Sequence, residues 1–384
     1  MKKAVVIGGS NGIGLAISKK LYADGYQVNV LDICPPDACV DANSYSYEYC
    51  NLRELDTDLV ASYAKDKNVE LVMITAGLGR VTAFENLCPT EIEKLLTINL
   101  TATLKILRIF YPRLMEKTPF YCGVMGSIAG LVSSPLFSVY AASKAGICRF
   151  TESVNIELEM MGSPNRILNV SPGSIKGTKF NGGANDLSAT ETLASEILEK
   201  MQNRETLYIP DYDTVFKRVL DDYATDAHAY GVHSYQYKTN GGRVQSGKGI
   251  KIGYLSGTFD LFHVGHLNLL RRAKAQCDYL VVGVHDSGAW KGKETFIPFE
   301  ERVQIVGACK YVDKVVQSCR EDCDAWDLWH YDKLFVGSDY KGTERFNRYE
   351  EYFKDKGVEI VYFPYTKGTS STQLREKISS GKKE

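Results

Sequence analysis

The stretch Gly257-Thr258-Phe259-Asp260-Leu261-Phe262-His263-Val264-Gly265-His266 constrains this chain most, because it falls where an apolar strand gives way to a helix. Ile250 to Leu255 reads as a buried strand, and beyond the Gly257 turn Leu267, Leu270, Ala273 and Lys274 recur at helical spacing. Such a junction offers backbone N–H groups and the positive end of a helix dipole to an anion, and Gly265 lacks the side chain that would block its approach. His263 and His266 are three apart, so both imidazoles can lie on one face at the helix start. Two such donors suit the extra charge on a phosphorus under attack, without becoming covalent partners. A paired-histidine zinc site competes with this reading, but no third Cys, His or carboxylate follows at ligand spacing, so no metal ligand is assigned. Two structural histidines are the bland alternative.

At these residues the region from about 249 to 380 closely resembles the cytidylyltransferases, in particular the glycerol-3-phosphate cytidylyltransferase group. The resemblance implies nucleotide or phosphate contacts from Gly257, Thr258 and Phe259, and catalytic roles for His263 and His266. Lys291 and Lys293 match the family's phosphate-contacting lysines, Lys293 being counted as catalytic, and Arg302 matches an arginine that meets substrate phosphate. An ordinary ion pair with Glu300 or Glu301 is the alternative for Arg302. Gly337-Ser338-Asp339 matches the segment near the nucleotide, where Asp339 helps to hold base or ribose. Val358 to Phe363 reads as a strand, followed by a hydroxyl-rich helix start whose Thr366, Thr369, Ser370, Ser371 and Thr372 form a second phosphate cradle. That string resembles the family's Arg-Thr-x-Gly-Ile-Ser-Thr-Thr, except that Tyr365 stands in the arginine's place and Lys367 is its candidate substitute. The implied chemistry is in-line attack by a phosphate-monoester oxygen on the α-phosphorus of CTP, accompanied by Mg²⁺, with loss of pyrophosphate. Adenylyl transfer stays open, since His-x-Gly-His serves that chemistry too.

The chain begins with a second strand–turn–helix–strand order: Ala4 to Ile7, the glycine turn Gly8 to Gly14, Leu15 to Asp24, then Gln27 to Leu31. Gly8, Gly12 and Gly14, with Ser10, Asn11 and Ile13, allow a tight turn and close backbone approach to a pyrophosphate, while Asp32 can accept ribose hydroxyls. Ile33, Cys34 and Pro35 supply no cation for a 2′-phosphate, which favours NAD(H) over NADP(H). Apolar segments at Leu71 to Ile74, Tyr121 to Met125 and Ile167 to Val170 alternate with helical stretches such as Thr90 to Ile98 and Leu104 to Met115, which implies a parallel doubly wound sheet. Ser127 follows one of these strands, and thirteen residues later Tyr140-Ala141-Ala142-Ser143-Lys144 opens a helix. The i, i+4 spacing sets an ammonium beside a phenol, which is expected to lower the phenol's pKa.

With that constellation, residues 1 to about 210 resemble the short-chain dehydrogenase/reductase family. The resemblance implies a nicotinamide cofactor and a ketone reduced with Tyr140 as proton donor, Ser127 polarising the carbonyl, Lys144 beside them and Asn99 as a proton-relay asparagine. Thr75-Ala76-Gly77 stands where the family has Asn-Ala-Gly, making Ala76 and Gly77 cofactor contacts, and Pro172-Gly173 with Thr178 matches the loop that meets the carboxamide. Asn51-Leu52 departs from the acid usually placed at the adenine, and the short segment after Thr178 suggests a small, open substrate site.

The 384 residues suffice for two domains, and a net charge of -1 without a long basic run argues against a nucleic-acid partner. No apolar run approaches transmembrane length, no signal-peptide pattern opens the chain, and none of the 10 cysteines forms a Cys-x-x-Cys, so a cytoplasmic location with reduced thiols is expected. Asp211 to Tyr223 reads as a packed helix that closes the first domain or an oligomer contact, and the polar, glycine-containing stretch from Lys238 to Gly249 as a linker. The expected class is α/β, with two doubly wound parallel-sheet domains: a Rossmann-fold reductase at 1–235, a linker at 236–248 and a smaller Rossmann-like nucleotidyltransferase at 249–384. Together the resemblances imply that a ketose phosphate is reduced to a polyol phosphate and coupled to CTP as a CDP-polyol, CDP-ribitol or CDP-glycerol, by a homo-oligomer. The alternatives are that the first half acts on an unrelated carbonyl, or serves as a non-catalytic sensing or oligomerising module.

Overall fold

Parallel strands need long crossovers, and the alternation of short apolar runs with helices supplies them along this chain. The computed structural model describes residues 2–36, 45–175, 178, 180, 186–245, 250–287, 294–364 and 374–375. The chain forms two compact units, Met1–Leu87 with Glu91–Gly247, and Cys88–Thr90 with Lys248–Glu384.

The first unit runs β1 (Lys3–Ile7), α1 (Gly12–Ala23), β2 (Gln27–Asp32), β3 (Tyr45–Tyr49), α2 (Thr57–Lys65), β4 (Val69–Ile74), α3 (Pro89–Leu96), α4 (Ala102–Leu114), β5 (Tyr121–Met125), α5 (Ser138–Met160), β6 (Ile167–Val170), α6 (Ser188–Gln202), β7 (Leu207–Tyr208), α7 (Lys217–Thr225) and α8 (Ala227–Asn240). All seven strands are parallel, in the order β3-β2-β1-β4-β5-β6-β7. Successive side chains of a strand point to opposite faces. Val5 and Ile7 accordingly join one core with Phe110 and Ile147, while Ala4 and Val6 join another with Ile17 and Ile197. Burial on both faces explains why the central strands are continuously apolar.

The second unit runs β8 (Ile252–Gly257), α9 (Val264–Lys274), β9 (Tyr279–Val284), α10 (Phe299–Gly307), β10 (Lys314–Gln317), α11 (Asp322–Trp329), β11 (Lys333–Gly337), α12 (Glu344–Phe353) and β12 (Glu359–Phe363). Its five parallel strands lie in the order β10-β9-β8-β11-β12. Here too the strand alternation divides the core, Ile252 and Tyr254 on one side and Leu255 and Leu270 on the other.

Both sheets reverse their winding direction once, between β1 and β4 and between β8 and β11. The crevice beyond the carboxyl ends of strands at such a reversal is where open α/β sheets receive ligands. Gly8 to Gly14 and Thr75 to Gly77 leave the first pair, and Gly257 to His266 and Gly337 to Asp339 leave the second.

Two expectations need correction. The stretch expected to be linker from 236 is helical as far as Asn240, and the Gln245 N–H still donates to Val81 O at 2.8 Å. Lys238, one reason the stretch read as polar linker, finds oxygen partners within the first unit. The helix expected after Pro210 forms, but not as a packed one: none of the α7 residues is buried. Among the described residues no helix is long and apolar enough to cross a membrane.

Candidate functional site

At the first crossover, Gly8 takes φ 88°, which a side chain would disfavour, and a Cβ there would lie 2.4 Å from Ala76 N. A Cβ on Gly14 would lie 2.2 Å from Gly8 O and 2.5 Å from Thr75 Oγ1. Only glycine lets the turn that carries Ser10, Asn11 and Ile13 close against Thr75-Ala76-Gly77. Thr178 is brought to the same turn, 3.3 Å from where a Gly12 Cβ would stand. At the end of β2 the Asp32 carboxylate accepts the Ser10 N–H at 3.1 Å and the Ile33 N–H at 2.7 Å, and the Ser10 hydroxyl donates to Cys34 O at 2.6 Å. Asn51, where an acid was the family expectation, accepts the Arg53 N–H as the cap of a short turn.

Beyond β5, Ser127 accepts the Ala129 N–H at 3.2 Å and reaches Pro172 O at 3.5 Å, which draws in the Pro172-Gly173 loop. Tyr140 stands in the first turn of α5, near enough to Ser127 for that hydroxyl to lower the phenol's pKa. One turn on, buried Lys144 donates to Met125 O at 2.7 Å, with its ammonium 5.6 Å from the Tyr140 ring centroid. Asn99 lies in a π-helical turn, Thr97–Thr101, that interrupts the run from α3 to α4. Wide turns of this kind recur at functional sites, because they turn side chains out of the helical register. Here the Asn99 amide donates to Leu78 O at 2.8 Å and Ser143 Oγ at 3.1 Å, and its carbonyl accepts the Leu78 N–H at 2.9 Å. Gly77 sits among them, a Cβ there falling 3.4 Å from both Asn99 Oδ1 and Lys144 Nζ.

The expected lowering of the Tyr140 pKa is reversed. Burial pushes the phenol up to about 12, against a smaller lowering by the Ser127 hydrogen bond, and burial brings Lys144 down to about 8. Desolvation sets the direction, the Lys144 ammonium being engaged with Met125 O. Phe137 stacks on Tyr140 with centroids 4.1 Å apart, Phe180 lies 5.6 Å from it, and Phe216 lies against Gly173.

In the second unit, the string after β8 holds two non-glycine residues in the left-handed region, Phe259 at φ 53° and Leu261 at φ 49°. Each costs about 1–3 kcal/mol, and such strain gathers at ligand-holding turns. His263 caps α9: its Nδ1 accepts the Gly265 N–H at 3.0 Å, while His266 Nδ1 accepts the His263 N–H at 3.4 Å. An acceptor Nδ1 on a neutral imidazole puts the proton on Nε2, so each ring is a donor through Nε2–H. The rings stack with centroids 4.1 Å apart. Burial lowers the pKa of both, that of His266 to about 4 with His263 adding repulsion, so the pair is neutral at pH 7.

The short chain dehydrogenase family matches residues 2–188, and the cytidylyltransferase-like family matches residues 254–380. Glycerol-3-phosphate cytidylyltransferase of Bacillus subtilis (strain 168) is 35% identical over 127 residues, 32% of this chain and 93% of the relative. Residues 254–380 belong to the cytidylyltransferase-like family, and residues 2–188 match the short chain dehydrogenase family. The Staphylococcus aureus (strain NCTC 8325 / PS 47) glycerol-3-phosphate cytidylyltransferase is 30% identical over 129 residues, 32% of this chain and 90% of the relative. For the dehydrogenase unit, the dehydrogenase RED2 of Cochliobolus heterostrophus is 30% identical over 158 residues, 40% of this chain and 60% of that protein. Both units belong to enzyme families.

In the dehydrogenase unit the geometry gathers the expected residues around the end of β1 and the start of α5. In the cytidylyltransferase unit the outcome is mixed. Arg302 is fully buried and donates to four backbone carbonyls: Ile297 O at 2.9 Å, Thr258 O at 2.5 Å, His285 O at 2.7 Å and Asp286 O at 2.8 Å. The guanidinium joins the histidine string to the loop after β9, and among the described residues it forms no ion pair with Glu300 or Glu301. Asp339 is exposed in a short turn after β11, its carboxylate folded back so that a Gly337 Cβ would lie 2.3 Å from Oδ1. Lys291, Lys293, Thr366, Thr369, Ser370, Ser371 and Thr372, with Tyr365 and Lys367, lie outside the described residues.

Two cytidylyltransferase residues escaped the sequence reading. Asp260 is 3% exposed, accepts the N–H groups of Phe296 and Ile297, both at 3.0 Å, and pairs with Arg375. An acid in an otherwise apolar run was the available signal. The Arg375 guanidinium also donates to Glu294 O at 2.6 Å, so the pair closes the histidine string onto the segment before α10.

Proposed function

We propose that the dehydrogenase unit reduces a ketose phosphate with NAD(H) to a polyol phosphate, and that the cytidylyltransferase unit joins this product to CTP, releasing pyrophosphate. The leading pairs are ribulose 5-phosphate giving CDP-ribitol and dihydroxyacetone phosphate giving CDP-glycerol. The observation that carries this reading is that one chain holds both a hydroxyl pair, Ser127 and Tyr140, beside Lys144 and Asn99, and a donor pair, His263 and His266, at a strand-to-helix junction.

The residues of the first site fit a dinucleotide. Cβ atoms would fill the cradle at Gly8 and Gly14, so this turn would receive the pyrophosphate, and Asp32 at the end of β2 the ribose hydroxyls. Ala76, Gly77, Pro172, Gly173 and Thr178 would flank the rest. Neither Ile33 nor Cys34 beside Asp32 offers a cation for a 2′-phosphate, which favours NAD(H) over NADP(H). A bound nicotinamide supplies the hydride. Ser127 and Tyr140 orient the ketone oxygen, and Tyr140 gives it the proton. A phenol held up near 12 stays protonated at neutral pH, as a donor for reduction must. The Lys144 ammonium then steadies the phenolate that remains, and Asn99, bonded to Leu78 and Ser143, sits on the route by which the proton is restored.

In the second site an oxygen of the polyol phosphate attacks the α-phosphorus of MgCTP as pyrophosphate leaves. The Nε2–H groups of His263 and His266 donate to the oxygens where charge builds, so they stabilise without bonding covalently. Lys291, Lys293 and the Thr366 to Thr372 string would complete the phosphate contacts, Lys293 among the catalytic groups. Glycerol-3-phosphate cytidylyltransferases among the relatives support CTP and a polyol phosphate as co-substrates. On the same ground the CDP-polyol would serve as a precursor of teichoic-acid-like or capsular polymers, made in the cytoplasm by a homo-oligomer. The domain limits would be those of the two compact units, with the join between Gly247 and Lys248.

The test is NADH oxidation against a panel of ketose phosphates, run beside nucleotide formation from the corresponding polyol phosphates with MgCTP. The expected result is turnover of one ketose phosphate and use of its own reduction product by the transferase, with NADPH the poorer reductant. NADH binding without turnover of any ketone would make the first unit a sensing or oligomerising module instead.

A further inference from the structure

We infer that Lys238, on α8 beyond the matched dehydrogenase region, is a positioning residue of the reductase that fixes the loop carrying Phe137 against the proton donor Tyr140. The inference rests on the ketone-reductase reading proposed above.

The loop at 131–137 leads from the Ser127 turn to α5, which carries Tyr140 in its first turn. It is not held by regular structure. Leu136 takes φ 62°, a left-handed conformation that is unfavourable for leucine and persists only when surrounding contacts impose it. The Lys238 ammonium supplies such contacts. It donates to Ser134 Oγ at 2.8 Å, to Pro135 O at 2.8 Å and to Ser234 Oγ at 3.2 Å, matching its three N–H groups to three oxygens, two of them on the loop.

Apolar packing is a poor alternative explanation for the tie. No residue of α8 is buried; helix and loop meet at Gly231, whose Cβ would lie 3.5 Å from Ser133 Oγ, beside an open cavity of about 550 Å³ lined by Pro135, His228, Gly231, Val232 and Tyr235. The end of the same segment adds a second tie. Gln245 O accepts from Thr82 Oγ1 at 2.9 Å, while the Thr82 N–H donates to Leu136 O at 2.7 Å, next to Phe137. Phe137 in turn stacks on Tyr140 at 4.1 Å with the rings 14° apart. The chain from Lys238 to the catalytic hydroxyl therefore has few links: ammonium, loop, Phe137 ring, Tyr140. Phe137 lies flat on the ring of the proton donor, so the placing of this ring bears on substrate fit more than on cofactor fit.

The test uses the full chain with Lys238→Met, which keeps much of the side chain's length and loses its charge, and Lys238→Arg, which keeps the charge. Four quantities are read: KM and kcat for the ketose phosphate, Kd for NADH, the rate of cytidylyl transfer, and hydrogen–deuterium exchange of residues 131–137. Loss of a charge-assisted tie on the loop should raise KM about tenfold in Lys238→Met and speed exchange across 131–137, with NADH affinity and cytidylyl transfer unchanged. Lys238→Arg should recover most of the KM, and Ser134→Ala should move KM and exchange the same way by less. Wild-type KM and wild-type exchange in Lys238→Met would overturn the inference, and so would loss of NADH binding alongside ketone turnover, which would make the lysine a general support of the unit. If the native chain reduces no ketose phosphate, the reductase reading fails separately, and the exchange measurement still decides whether the clamp exists.

Discussion

Arg302 shows how a residue matched correctly by position can act through other atoms. Its motif and its place at the start of α10 were legible, but the direction of a guanidinium depends on which carbonyls the fold leaves nearby, and four of them surround it. A planar fork meets several oxygens at once, whereas an ammonium cannot reproduce that geometry. The substitution Arg302→Lys should therefore cost about 2–4 kcal/mol of stability, through carbonyls left without donors, with little change in KM for the polyol phosphate. Chemical denaturation and steady-state kinetics of this variant check the point; unchanged stability with a raised KM would restore a direct phosphate contact. Tyr140 and Lys144 make the same point about electrostatics. Their spacing was legible, but the sign of the phenol's shift was not, because burial is set by the whole sheet above them.

At the scale of elements, the strand–turn–helix units were the most legible part of the chain. Period-2 and period-3.6 patterns report directly on burial, and glycine at Gly8 and Gly14 is required by close backbone contacts. The π-helical turn around Asn99 was not legible, since its residues fit an ordinary helix and only tertiary packing widens it. The absence of burial along α7 was equally hidden, because apolar spacing shows which face could pack and not whether anything covers it. The start of α9 carries a pH prediction. Each histidine caps the helix only with an unprotonated Nδ1, and burial holds His266 near 4 against an ordinary value of 6.5. Below 6.5 the unfolded chain takes up a proton that the folded one refuses, so this stabilisation is complete above pH 6.5 and is lost as the pH falls towards 4, by up to about 3 kcal/mol. The three tryptophans, Trp290, Trp326 and Trp329, all belong to the cytidylyltransferase unit, so their fluorescence in denaturant titrations reports on it alone. His266→Asn should flatten the dependence between pH 6.5 and 4; an unaltered slope would mean that other groups set it.

The whole molecule repeats one physical solution twice: a parallel sheet that reverses its winding direction, with a glycine-bearing turn at the reversal. That both units would be of this kind was legible from the two junctions at Gly8 and Gly257, while the extension of the first unit through Gln245 was not, because the polar residues that suggested a linker bond back to it. The central claim is that the two units catalyse consecutive steps, the first making the phosphate ester that the second consumes. The most direct measurement supplies the full chain with NADH deuterated at both C4 positions, a ketose phosphate and MgCTP, and weighs the nucleotide product. The account predicts a CDP-polyol carrying one deuterium. A deuterated polyol phosphate that never enters the nucleotide, or a CDP-polyol formed only from supplied unlabelled polyol phosphate, would contradict it.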